Sequence, residues 1–99
     1  MGIDARVDSG LLQIKVSGKF DFGVHNEFRE AVKLLEGGLK QIEVDLAGTD
    51  YMDSSALGML LVLRDKIGGD KSAIRIKNAR AEVKKILEIA NFDKLFSLV

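Results

Sequence analysis

The sequence predicts an α/β domain: a mostly parallel sheet of four or five strands, opened by a β-hairpin and covered by helices. Three observations predict it. The first 16 residues alternate apolar and polar positions on either side of a turn sequence. Beyond them, strand-like segments alternate with segments of helical period, giving the order β-β-α-β-α-β-α-β. The length, 99 residues, suits one hydrophobic core and no second domain, so residues 1–99 form a single unit. Parallel neighbours in such an order require crossovers, expected to be right-handed.

Each element follows from its residues. Ile3, Ala5 and Val7 alternate with polar neighbours, as do Leu12, Ile14 and Val16, and Asp8-Ser9-Gly10 supplies a tight reversal between them. From Val24 the apolar positions Val24, Phe28, Ala31, Val32 and Leu35 mark one face of a helix of about three turns, with Gly37-Gly38 as its stop. Ile42 to Leu46 alternates as a half-buried strand does, and a helix is expected from about Ser54 to Ile67. Gly68-Gly69-Asp70 breaks the pattern, and Ala73-Ile74-Arg75-Ile76 reads as a further short strand. Val83, Ile86, Leu87 and Ala90 share a helical face, Asn91 suits a left-handed terminator, and Leu95 to Val99 closes as a last strand. Proline is absent, so glycines and Asp-Ser pairs carry the boundaries. There is no internal repeat, linker or low-complexity tract.

Composition narrows the function. Fifteen basic and fifteen acidic residues cancel, which gives no electrostatic argument for nucleic acid or an anionic membrane. Without cysteine there is no disulfide framework, thiolate metal site or cysteine nucleophile. Met1-Gly2-Ile3-Asp4 carries no basic region leading into an apolar stretch, so it does not read as a secretion signal, and Arg6 stands where a myristoylation signal needs Ser or Thr. The longest apolar run, Leu57 to Leu63, is far short of the roughly 20 residues that span a bilayer. The expected location is the cytoplasm.

Catalytic and ligand motifs are sparse. Asp21, Asp45, Asp50 and Asp53 lie near expected strand ends, where α/β sheets gather ligands, although Asp is also a common turn and cap residue. A phosphoryl-accepting or magnesium-dependent site would use Asp21 and Asp53, yet a receiver domain needs a longer α/β alternation than this chain offers. His25 is the only imidazole, no Gly-x-Ser-x-Gly elbow surrounds any serine, and His25 reads most simply as a surface residue beside a helix stripe. Gly18, Gly23, Gly37, Gly38, Gly68 and Gly69 assemble neither Gly-x-Gly-x-x-Gly nor a Walker loop. No metal, cofactor or enzymatic activity is expected.

The most informative stretch is Tyr51-Met52-Asp53-Ser54-Ser55-Ala56-Leu57-Gly58, where a strand ends and a helix begins. Asp53 or Ser54 can cap the helix, which is the bland reading. No acidic residue follows in the first turn, so the helix start is expected to be open to an anion, and a serine there sits beside free N–H groups. Gly58 lowers helix propensity by about 1 kcal/mol relative to alanine, pointing to close packing or close approach of a partner.

Met52-Asp53-Ser54-Ser55-Ala56-Leu57-Gly58 resembles the phosphorylation motif of bacterial anti-sigma factor antagonists, the STAS domains. Gly18-Lys19-Phe20-Asp21 is similar to the family's turn after the second strand, and Ile86 to Phe96 to its closing helix and strand, so the likeness covers nearly the whole chain. Ala56 stands where the family commonly has glycine, and Phe22-Gly23-Val24-His25-Asn26 differs from the more usual small and hydroxyl residues.

The resemblance implies that Ser55 is the phosphoacceptor, that Asp53 and Ser54 shape the helix start, and that Asp21 lies on the neighbouring loop. The implied partner surface is Asp21, Met52, Asp53, Ser54, Ser55, Ala56, Leu57, Gly58 and Met59. Its implied partners are an anti-sigma factor that is also a serine kinase, bound by the unmodified domain so that a sigma factor is released, and a PP2C-type serine phosphatase that resets the switch. A phosphoserine adds about −1.5 to −2 charges, which an interface packed on that spot must desolvate or repel. The alternative is a constitutive STAS interaction or scaffold subunit in which the serines act only as caps.

Overall fold

The computed structural model describes residues 2–37, 41–69 and 73–99. Strands β1 (Ile3–Asp8) and β2 (Leu11–Phe20) pair antiparallel, with Asp8 opposite Leu11 and Ile3 opposite Val16. The reversal passes through Ser9 and Gly10, both at positive φ (52° and 81°), the two-residue geometry whose twist matches its strands. A short 3₁₀ turn, Phe22–Val24, leads into α1 (His25–Val32), and a second, Lys33–Gly37, follows it. Then come β3 (Gln41–Met52), α2 (Ser54–Lys66), β4 (Ile74–Lys77), α3 (Ala81–Ile89), a 3₁₀ turn at Phe92–Lys94 and β5 (Ser97–Leu98). The five strands lie side by side in chain order, and every pairing after the hairpin is parallel.

Alternation assigns the two sheet faces. Leu12, Ile14 and Val16 on β2, Ile42, Val44 and Leu46 on β3, and Ile74 and Ile76 on β4 are buried in one core with the inner faces of the helices. Phe28 and Val32 come from α1, Leu60 and Leu63 from α2, and Val83 and Leu87 from α3. The side chains between them form ionic rows on the opposite face. One row reads Asp4, Lys15, Asp45, Lys77 across four strands, and the next reads Arg6, Gln13, Glu43, Arg75. Opposite charges facing across strands support the pairing.

Glu43 is the buried member of these rows, 4% exposed. Its Oε1 accepts from Lys77 Nζ at 2.9 Å and from Gln13 Nε2 at 3.3 Å, and its Oε2 accepts from the Arg75 guanidinium. Hydrogen bonds from Lys77 and then Arg75 outweigh desolvation and hold the carboxyl below its ordinary value of 4.5.

Four boundaries differ from the sequence expectation. The strand expected at Ile42–Leu46 runs on to Met52, because two irregularities in its pairing with β2, between Lys15 and Ser17 and between Gly18 and Lys19, each let β3 carry one extra residue. Burial along this stretch falls on Leu46, Thr49 and Met52, a period of three that breaks the alternation. The helix expected from Val24 is a two-turn α-helix between 3₁₀ turns, and the strand at 73–76 is shifted by one residue. The last strand is two residues long: Leu95 and Phe96 precede it, and Phe96 stacks on Phe92 at 5.1 Å in the core. Asn91 is left-handed at φ 62°, as expected of a terminator. Gly38 and Asp70, named in two expected breaks, lie outside the described residues. Among the described residues no helix is long and apolar enough to cross a membrane.

A carboxylate held below its unfolded value contributes stability that is present above pH 4.5 and lost as pH falls through the folded value. Glu43→Gln should therefore lower unfolding free energy at pH 7 by roughly 1–2 kcal/mol, a modest loss because Arg75 and Lys77 keep access to water. In urea titrations the gap between parent and variant should close as the buffer is taken below pH 4.

Candidate functional site

The site is built where β2 and β3 end together. Phe20 is opposite Met52 in the parallel register, so the two strand-to-helix turns begin side by side, and the Asp53 N–H donates to the Phe20 carbonyl at 3.4 Å. Thr49, fully buried, anchors the irregular stretch: its Oγ1 donates to the Val16 carbonyl at 2.7 Å.

Both turns use the same device. Asp21 has extended backbone, and its Oδ1 accepts from Gly23 N at 2.9 Å. Asp53 is likewise extended, and its Oδ1 accepts from Ser55 N at 3.0 Å and Ala56 N at 3.3 Å. An Asp at the N-cap satisfies orphan donors of the first turn in this way. The expectation of a helix start left open to an anion is therefore corrected: the Asp53 carboxylate already occupies two of its donors. Asp53, a cap candidate in the sequence, carries that charge one residue before the first turn.

The sequence-predicted residues separate into two sets. Ser54 and Gly58 are exposed, while Asp21, Asp53, Ser55 and Leu57 are half-buried. Met52, Ala56 and Met59 are 3%, 0% and 6% exposed and belong to the core. Met52 is the buried last residue of β3, and Ala56 and Met59 turn inward because the face of α2 that meets the sheet repeats at Ala56, Met59, Leu60 and Leu63. They set the position of the helix and present little surface to a partner. A β-carbon added at Gly58 would meet no atom within 4 Å, so close packing within the chain does not explain this glycine.

The structure adds residues that the motif did not single out. Phe22 is 68% exposed at the tip of the Asp21 turn, with its ring stacked on the half-buried His25 at 4.8 Å. Tyr51 is 48% exposed just before the cap, and Leu61 and Val62 continue the outer side of α2 at 41% and 53%. An aromatic in an Asp-Phe-Gly turn was the legible signal for Phe22; the exposure of Leu61 and Val62 was hidden inside an apolar run.

Of the candidate acidic residues, Asp45 stands apart from the Asp21 and Asp53 turns. Asp45 lies within β3 on the ionic face, where its Oδ1 accepts from Ala47 N at 2.9 Å and Asn78 Nδ2 at 3.3 Å. Among the described residues no three His, Asp or Glu side chains form a cluster able to hold a metal ion.

Comparison with known proteins places this arrangement. A STAS-domain containing protein of Pseudomonas aeruginosa (strain UCBPP-PA14) is 46% identical over 91 residues, covering 92% of this chain and 90% of its own length. An anti-sigma factor antagonist from Mycobacterium paratuberculosis shares the fold with a TM-score of 0.83 at 19% identity, over 97% of this chain and 82% of that one. The Bacillus cell fate determinant SpoIIAA in its phosphorylated form superposes with a TM-score of 0.76 at 15% identity, over 99% and 91%. Residues 2–99 match the family model of the STAS domain, and the chain belongs to that family.

Proposed function

We propose that this domain is an anti-sigma factor antagonist controlled by phosphorylation of Ser55. Unmodified, it binds an anti-sigma factor that is also a serine kinase and so releases a sigma factor; phosphorylated, it lets go, and a PP2C-type phosphatase resets it. It works in the cytoplasm as substrate and ligand, not as catalyst. The observation that carries the reading is the position of Ser55: half-buried in the first turn of α2, beside the outward Ser54 and Gly58 and an exposed apolar stretch at Leu61 and Val62. Two adjacent exposed apolar side chains on the same helix support reading it as a protein-binding surface.

The Asp53 cap gives the switch its physics. A phosphoryl group on Ser55 arrives next to a carboxylate that already holds the Ser55 and Ala56 N–H groups. Like charges repel, and the added −1.5 to −2 charge is best solvated on the outside of the helix, where a docked partner would have to exclude water. Each 1.4 kcal/mol of lost complex stability weakens binding about tenfold, so a cost of a few kcal/mol suffices. Phe22, in the turn after β2, and Tyr51, two residues before the Asp53 cap, offer exposed aromatic rings, a residue type enriched at interfaces. A phosphorylated form of SpoIIAA is among the similar structures, which favours the modified state as a stable fold.

The switch is tested with purified partner and calorimetry. Ser55→Asp should bind at least about tenfold more weakly than the parent, and Ser55→Ala should bind normally while losing phosphate incorporation. Equal binding by Ser55→Asp would instead establish a constitutive interaction subunit. Capping is separable from switching: Asp53→Ala should lose about 0.5–2 kcal/mol in urea unfolding, while Asp53→Asn, which keeps the acceptor, should lose less. With open space over it, Gly58→Ala should raise stability by about 0.5–1 kcal/mol, and thermal denaturation reads the sign directly.

A further inference from the structure

A surface groove runs between α1 and α2. At one end His25, Phe28, Val32, Met59 and Val62 line a cavity of about 170 Å³; at the other, Val32, Lys33 and Leu35 line one of about 400 Å³, and Arg29, Val32 and Lys66 belong to both. Its floor is apolar. Its rim is cationic, with no carboxylate among the described lining residues. Lys33 is held at 3.0 Å by Glu30, whereas neither Arg29 nor Lys66 makes an ion pair among the described residues. Both of these cations are exposed.

The groove belongs to the same helix flank as the switch. On α2 the positions Ser55, Met59, Val62 and Lys66 follow each other at intervals of four, three and four residues, the spacing of a single stripe. Eleven residues of helix rise about 16 Å, which matches roughly three turns of a second helix laid alongside. Helices that dock in grooves do so through apolar residues at i, i+3 or i+4, and i+7, with their flanks reading the rim charges.

We infer that this groove receives an acidic amphipathic helix of a protein partner, its apolar side chains packed against the exposed Val62 and reaching into the cavity floored by the buried Phe28, Val32 and Met59, and its carboxylates paired with Arg29 and Lys66. Charge complementarity selects this occupant: exposed cations with no ion pair among the described residues, set above an apolar floor, steer an acidic segment inward and disfavour a basic one. The inference rests on α2 being a docking surface and names the chemistry of what docks. It does not need Ser55 to be modified.

The test uses a synthetic helix-forming peptide of roughly 14 residues, with leucines at the stripe positions and glutamates on both flanks, and a twin in which lysines replace the glutamates. Titrated into the full chain and followed by amide chemical shifts, the acidic peptide should saturate and perturb α1 and α2, and the basic twin should not bind. Arg29→Glu combined with Lys66→Glu should weaken the acidic peptide at least about tenfold and admit the basic one. Both substitutions are at exposed positions, and an unchanged amide spectrum elsewhere verifies the fold. Equal binding of both peptides, no saturable binding, shifts on the ionic sheet face, Lys66-dependent binding to phosphatidylglycerol vesicles, or Lys66-dependent self-association in sedimentation would each overturn the inference. Ser55→Asp is measured in parallel against the natural partner: a switch that operates while the peptide fails overturns the groove alone.

Discussion

The parallel pairing of β2 with β3 is the constraint on which the remainder depends. It is the longest contact in the sheet, and it persists through two extra residues in β3 to bring Phe20 opposite Met52. Had β3 stopped at Leu46, the Asp21 and Asp53 turns would start from different heights and the Asp53 N–H would not reach the Phe20 carbonyl. The buried Thr49 hydroxyl makes the irregularity affordable by satisfying the Val16 carbonyl, an acceptor that a distorted ladder would otherwise leave unpaired.

What could be read in the sequence was whatever obeys a simple period. The hairpin, α2, the Ile74–Ile76 alternation and the left-handed Asn91 all follow local rules, and the structure has them within a residue or so. The upper half of β3 does not, because a bulge changes which face the next side chain takes, and Ala47-Gly48-Thr49-Asp50 then looks like a loop. β5 was overlong in expectation because Leu95 and Phe96 are as apolar as strand residues, although a 3₁₀ turn, with Phe92 and Phe96 stacked in the core, uses them instead.

At the candidate site the motif names one stretch of sequence and cannot divide it by face. Met52, Ala56 and Met59 were grouped with Ser54, Ser55 and Gly58 because they are close in sequence; the helix turns successive residues about 100° apart and sends Ala56 and Met59 inward, while Met52 is the buried last residue of β3. Asp53 has two consequences that only geometry reveals together. Its carboxylate anchors the start of α2, and the same charge stands beside the hydroxyl whose modification is proposed, so stability of the helix and sensitivity to added charge have one source.

The borders of the sheet bear on how such a domain meets other proteins. On one side β5 offers only two residues of ladder; on the other, β1 carries Asp4, Arg6 and Asp8 at exposed positions. Short or charged borders resist the addition of a foreign strand. Main-chain zippering is thus a poor route of association for this molecule, either with itself or with a partner. On the helical layer, by contrast, a single altered side chain changes the surface without disturbing the backbone bonds that hold the sheet together.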